Sequence, residues 1–109
     1  METNPVMMDV IRLEGPCEID DMRVSQLPVP QVKDGWMRVR VEAFGINESE
    51  SHSRRGLSDP DFTYPRVLGI EGVGVVDEVA PGSAFQPGQQ VAFMMGGLGR
   101  EYDGSYARY

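Results

Sequence analysis

Three glycines, Gly69, Gly72 and Gly74, fall within six positions of a run rich in β-branched residues, YPRVLGIEGVGVVDEV, from Tyr64 to Val79. Each would cost a helix about 1 kcal/mol relative to alanine, which argues against helix here. Val73, Val75, Val76 and Val79 are strand formers, and Asp77 and Glu78 fit the solvated side of that strand. Pro65 disfavours the helical region for Tyr64, so the chain comes in extended or turning. In a strand, glycine marks a bulge, a tight bend, or a close approach by another backbone or a ligand. Residues 67–79 therefore read as one bent strand of a small barrel, its glycines either turning the corner or admitting a neighbour.

The rest of the chain agrees with a mostly β class. Thirteen glycines and eight prolines cut 109 residues into short pieces, and no long window carries a helical apolar stripe. That length suits one domain, 1–109. The net charge of −7 disfavours nucleic acid and anionic membranes, both of which need a basic face. A single cysteine, Cys17, leaves no internal disulfide and no multi-cysteine metal cluster. With no basic-then-apolar leader and no apolar run near about 18 residues, the expected location is the cytoplasm.

Along the chain, residues 1–8 read as a loose end, with Pro5 blocking early pairing. Met8–Glu14 alternates apolar and polar and predicts a half-buried strand, closed by Gly15-Pro16. A second short strand is expected around Met22–Val24, and Leu27–Pro30 as a polyproline-like stretch. Trp36–Phe44 alternates most cleanly and predicts a strand after the Asp34-Gly35 turn. Glu48–Arg55 predicts one short helix, capped by Asn47 or Ser49 and stopped at Gly56. Turns follow at Pro81-Gly82 and Pro87-Gly88, with Phe85 between them as an apolar plug. Gln89–Met94 predicts a strand and Met95–Gly104 a glycine-rich loop. Ser105–Tyr109 reads as the opening of a further strand, so the chain is expected to continue beyond it.

Candidate chemistry is sparse. His52, the only histidine, is either a solvated helix residue or a substrate contact. Cys17 has no neighbouring base to activate it and reads as a bystander thiol. Glu48 and Glu50 are either helix first-turn acids or a general-base pair. Gly96-Gly97-Leu98-Gly99 lacks the spacing of a phosphate loop. The seven methionines, Met94-Met95 among them, either line a pliable apolar surface or fill the core. Asn47 follows the best strand, and its amide can donate and accept, for capping or for a ligand.

Three ordered strings carry a family resemblance: VRVEAFGIN from Val39 to Asn47, PRVLGIEGVGVV from Pro65 to Val76, and FQPGQQVA from Phe85 to Ala92. With Asp103–Tyr109, Leu13–Pro16 and Leu27–Pro30, they resemble the N-terminal GroES-like catalytic domain of the medium-chain dehydrogenase/reductase superfamily, over nearly the whole chain. That resemblance implies a mostly β, partly open GroES-like barrel with one or two short helices. Zinc alcohol dehydrogenases of this superfamily carry Cys where Asn47 stands and His where Ile70 stands, beside a glutamate at Glu71. The chain is therefore more similar to the zinc-independent quinone oxidoreductase branch.

The resemblance further implies a parent enzyme that passes hydride from NADPH to a quinone or another α,β-unsaturated carbonyl, with no zinc. Asn47 and Glu50 would be catalytic, with Asn47 also near the cofactor and Glu50 standing where the family often has Asp. Tyr64, Met94 and Met95 would line the substrate pocket. In this family the dinucleotide is held by a separate Rossmann domain. No GxGxxG after a strand is present here, so the chain alone is expected to be inactive and to hold NADPH poorly. Two other readings stay open: a stand-alone, non-enzymatic module that oligomerises through an unpaired edge, or a zinc alcohol dehydrogenase relative that has lost its ligands.

Overall fold

The computed structural model describes residues 5–109. Six strands and one α-helix follow one another as β1 (Met7–Leu13), β2 (Val24–Pro28), β3 (Met37–Ala43), α1 (Glu48–Arg54), β4 (Arg66–Val67), β5 (Glu71–Val79) and β6 (Gln90–Met94). A short 3-10 turn, Ile19–Asp21, precedes β2. The strands form two three-stranded antiparallel sheets, ordered β2-β1-β4 and β3-β5-β6, which do not close into a barrel. The expected mostly β, partly open GroES-like architecture with short helical pieces is what forms.

The glycine-punctuated run is two strands rather than one. β4 pairs with β1 in the first sheet, and β5 lies between β3 and β6 in the second. The chain changes sheet at Gly69, whose φ of 109° is closed to side chains with a Cβ. A Cβ there would also run into the Ser105 hydroxyl and the Tyr106 ring. Gly74 has a different role. It brings β5 so close to β3 that a Cβ would overlap the Arg40 carbonyl oxygen. Sequence alone left the corner and the close approach as alternatives, and both occur, five residues apart.

The core sits against the first sheet. Met8, Val10, Leu13, Val67, Leu68 and Tyr106 pack as one buried cluster. The segment 104–108 straps the two sheets together. Gly104 and Tyr106 donate to the carbonyls of Val67 and Leu68, Ile11 donates to Tyr106, and Val41 donates to Arg108. The strand expected at Ser105–Tyr109 is thus reduced to a single bridge, Val10 to Ala107.

Other expectations need correction. Pairing begins earlier than Pro5 was expected to allow, since β1 starts at Met7 and Val29 donates to the Val6 carbonyl; residues 1–4 lie outside the described part. Met22 precedes the second strand, and Leu27 and Pro28 pair with Met8 and Met7 instead of forming polyproline. Pro28 is tolerated because it ends an edge strand, where its missing N–H costs little. Phe85 is no plug: it is 42% exposed, between the turns at Pro81-Gly82 and Pro87-Gly88. Asp77 and Glu78 are exposed, as their place on β5 suggested. No helix among the described residues is long and apolar enough to cross a membrane.

Candidate active site

β3 ends at Ala43, and Gly45-Ile46-Asn47 carries the chain into α1. Asn47 occupies the N-cap position in an extended conformation, φ −120° and ψ 159°, yet its side chain caps nothing. The amide Nδ2 instead donates to Glu50 Oε1 and to Glu71 Oε1, both at 3.2 Å. Glu71 opens β5 just past the Gly69 corner, 24 residues away in sequence. Gly45 makes room for it, because a Cβ there would fall on the Glu71 carboxylate.

Glu50 is the unusual member. Expected as a first-turn helix acid or as a general base, it is only 4% exposed. Its Oε1 takes the Asn47 amide, while its Oε2 is buried with no hydrogen-bond partner. Among the described residues no lysine, arginine or histidine forms an ion pair with Glu50 or Glu71. A buried, uncompensated carboxylate oxygen is costly, so such atoms are rare outside sites that meet a ligand, an ion or water. Nearby, Tyr106 packs on Phe44 with ring centroids 4.4 Å apart. Burial, and then the charge of Glu50, push the Tyr106 hydroxyl up to about 12.

Beside this cluster runs an apolar groove of about 290 Å³, with Glu71 and Gly45 on its edge and Phe44, Val73, Phe93 and Met94 among its walls. Met94, the last residue of β6, is therefore at the groove. Met95 is exposed just beyond it, with φ 62°, and its N–H donates to the Ile70 carbonyl 2.8 Å away. Tyr64, which follows no part of this groove, donates its hydroxyl to the Ser53 carbonyl and so braces α1. Burial and then the Cys17 charge raise its pKa above the ordinary tyrosine value. The structure thus brings Asn47 and Glu50 together with Glu71, which faces Met94 across the β5–β6 pairing, while Tyr64 makes its hydrogen bond elsewhere.

The remaining candidates fall away from the cluster. His52 is exposed, its Nε2 3.7 Å from Glu48 Oε1 on the next turn of α1. Cys17 packs against the core, and its carbonyl accepts from the buried Arg54 guanidinium at 2.7 Å. Gly96–Gly99 forms turns with no helix after them. Sequence reasoning named Glu71 only through the resemblance, as the glutamate beside the Ile70 position, and did not place Tyr106 in the site. Their partners lie on other elements, and nothing local marks Tyr106.

Residues 33–109 match the alcohol dehydrogenase GroES-like domain family, and the chain belongs to it. Its relatives are oxidoreductases of the medium-chain dehydrogenase/reductase superfamily. Trans-enoyl reductase resD of Aspergillus sclerotiorum is 33% identical over 90 residues, 79% of this chain and 24% of that protein. Prostaglandin reductase-3 of Bos taurus is 39% identical over 77 residues, 69% of this chain and 20% of that protein. The fold matches the quinone oxidoreductase of Coxiella burnetii with a TM-score of 0.82 at 20% identity, over 94% of this chain and 33% of that one. An NAD-dependent alcohol dehydrogenase matches at TM-score 0.83 and 29% identity, over 93% of this chain and 36% of that one. The chain spans about a quarter of the length of these curated relatives.

Proposed function

We propose that this domain is the substrate side of a zinc-independent, NADPH-dependent reductase acting on quinones or other α,β-unsaturated carbonyls. The observation that carries this reading is the Asn47–Glu50–Glu71 cluster beside an apolar groove. Zinc does not fit the residues present. The Asn47 amide nitrogen faces two carboxylates, Ile70 has no donor atom, and no group of three or more His, Cys, Asp or Glu among the described residues is placed to hold a metal. The enoyl and prostaglandin reductases among the relatives support the substrate class, and the quinone oxidoreductase fold is compatible with it.

A nicotinamide dinucleotide, when bound, supplies the hydride. This chain's contribution is narrower. Phe44, Phe93 and Met94 hold an apolar body and keep water from it, and the Asn47 cluster fixes the polar end of what lies in the groove. The cluster suits a hydroxyl or carboxamide of a ligand; the glycine turns of the described residues offer no strand-to-helix cradle for a pyrophosphate. The test is oxidation of NADPH and NADH by the full-length protein with a panel of quinones and enones. Turnover with either substrate class, lowered by Asn47→Ala and unaffected by chelators, is expected. Silence across the panel, or stoichiometric zinc in active protein, overturns the reading.

A second reading has one observation behind it. β6 is an edge strand, and Met94 and Met95 project beside it at 70% and 61% exposure, a surface suited to a second copy of the domain. Sedimentation distinguishes the two: a defined oligomer that binds no dinucleotide favours the non-enzymatic module.

A further inference from the structure

A second groove, of about 420 Å³, takes its walls from both sheets. Ile11 comes from β1, Val24 from β2 and Val41 from β3, while Phe44 and Tyr106 pack against each other as an aromatic wall. The segment 106–108 runs through it. The Arg108 N–H donates to the Asp9 carbonyl at 3.3 Å, and the Val41 N–H to the Arg108 carbonyl at 2.7 Å. Those backbone bonds fix where Arg108 stands. Val24 is 66% exposed, so the groove is an apolar surface facing water, of a size ordinary for a small-molecule site.

Three charged residues border this groove: Asp9, Glu42 and Arg108. Glu42 Oε1 is met by the Arg40 guanidinium at 3.2 Å, and Asp9 Oδ1 accepts the Gln26 amide at 2.9 Å. Arg108 is exposed and enters no ion pair among the described residues. A guanidinium beside apolar walls is matched by a carboxylate, which takes two of its N–H donors at once. The net charge of −7 opposes an anion at long range, but physiological salt screens it over about 8 Å. Direct contact with Arg108 escapes most of that screening. We infer that this groove binds an apolar monocarboxylate, its carboxylate on the Arg108 guanidinium and its hydrocarbon body along Ile11, Val24, Val41 and Phe44. The Tyr106 hydroxyl, pushed up to about 12 by burial and then by the Glu50 charge, stays neutral at physiological pH and adds nothing to repel the ligand. The inference does not rest on the reductase reading, because Asn47, Glu50 and Glu71 border no part of this groove.

The test titrates octanoate, octanol and octylamine into the full-length protein, following the methyl groups of Ile11, Val24 and Val41 by NMR at neutral pH. The three probes share one hydrocarbon body and differ in the charge of the head. Octanoate is expected to shift these methyls in a saturable way, octanol more weakly and octylamine most weakly. Arg108→Ala should weaken octanoate by about tenfold and leave octanol unchanged, and Arg108→Lys should restore part of the affinity. Asp9→Asn removes a bordering carboxylate that no cation neutralises, and should tighten octanoate. Arg108 and Asp9 are both exposed, so these variants leave the buried cluster of the first sheet intact. Octanol or octylamine binding as tightly as octanoate, an octanoate affinity untouched by Arg108→Ala, or no saturable shift at all overturns the inference. Methyl shifts that follow protein concentration and ignore all three probes would assign the groove to a second copy of the chain, and overturn it equally. None of these readouts needs turnover or a bound dinucleotide.

Discussion

The two sheets of this domain share an antiparallel pattern and a strand number, yet they treat their apolar side chains oppositely. In β2-β1-β4 the inward residues of β1 and β4 vanish into one cluster, where Val67 and Leu68 are essentially sealed. In β3-β5-β6 only Val76 reaches that state among the valines of β5, while Val73 and Met94 stay 46% and 70% exposed. The first sheet holds the domain together. The second presents an apolar surface and a set of acceptors, features that cost stability in isolation and suit a face meant to meet something. The Asn47 cluster lies at their seam, tied to the second sheet by Glu71 and to the strapping segment through Tyr106.

The largest effect is expected where the chain passes between the sheets. Gly69→Val combines a disallowed φ with a Cβ driven into Ser105, and should cost about 4 kcal/mol or more, read as loss of a cooperative urea transition. Leu68→Ala, in the sealed cluster, should lower stability by about 3 kcal/mol through the lost methyl contacts and the cavity left behind. Asn47→Leu strips the buried Glu50 carboxylate of the one hydrogen bond it makes among the described residues and should cost about 2 kcal/mol, visible as a lower urea midpoint at unchanged slope.

Tyr106 gives the seam a pH signature. Its folded-state pKa, about 12, lies above the ordinary 10.0, so the folded protein resists ionising it. Stability from this group is fully present below pH 10 and is lost as pH rises from 10 toward 12. A urea midpoint measured across that window should fall, and Tyr106→Phe should flatten the fall. The smallest effect sharpens the contrast: Val73→Ala, on the exposed face of β5, should change stability by no more than about 0.5 kcal/mol. If it costs as much as Leu68→Ala, the two sheets are not the different objects described here.

Much of this architecture was legible beforehand because it is local. Alternation in Met8–Glu14 and Trp36–Phe44 announced β1 and β3, and polar residues with a glycine stop announced α1, since period and turn chemistry act over a few residues. The site was legible only in part. Asn47 stood out as an amide after a strong strand, and Glu50 as its near neighbour. Tyr106 did not, and Glu71 did so only through the family resemblance, because what makes them matter is a hydrogen bond to Asn47 across 24 positions and the reach of the Glu50 charge across 56. Phe85 and Leu27–Pro28 misled for a related reason: an apolar residue between turns need not find a core, and a proline at the end of an edge strand does not prevent pairing.

The sequence by itself determined the class, the glycine corner and the residues that could carry polar chemistry, because backbone conformation and short-range patterning are encoded within a few positions. Only the tertiary structure decided which glycine turns the chain and which admits a neighbour, which sheet keeps its apolar residues, and that the Asn47 amide is held by two carboxylates. Those outcomes depend on which distant backbones come to lie side by side, a competition of packing and hydrogen bonding settled only once the whole domain is assembled.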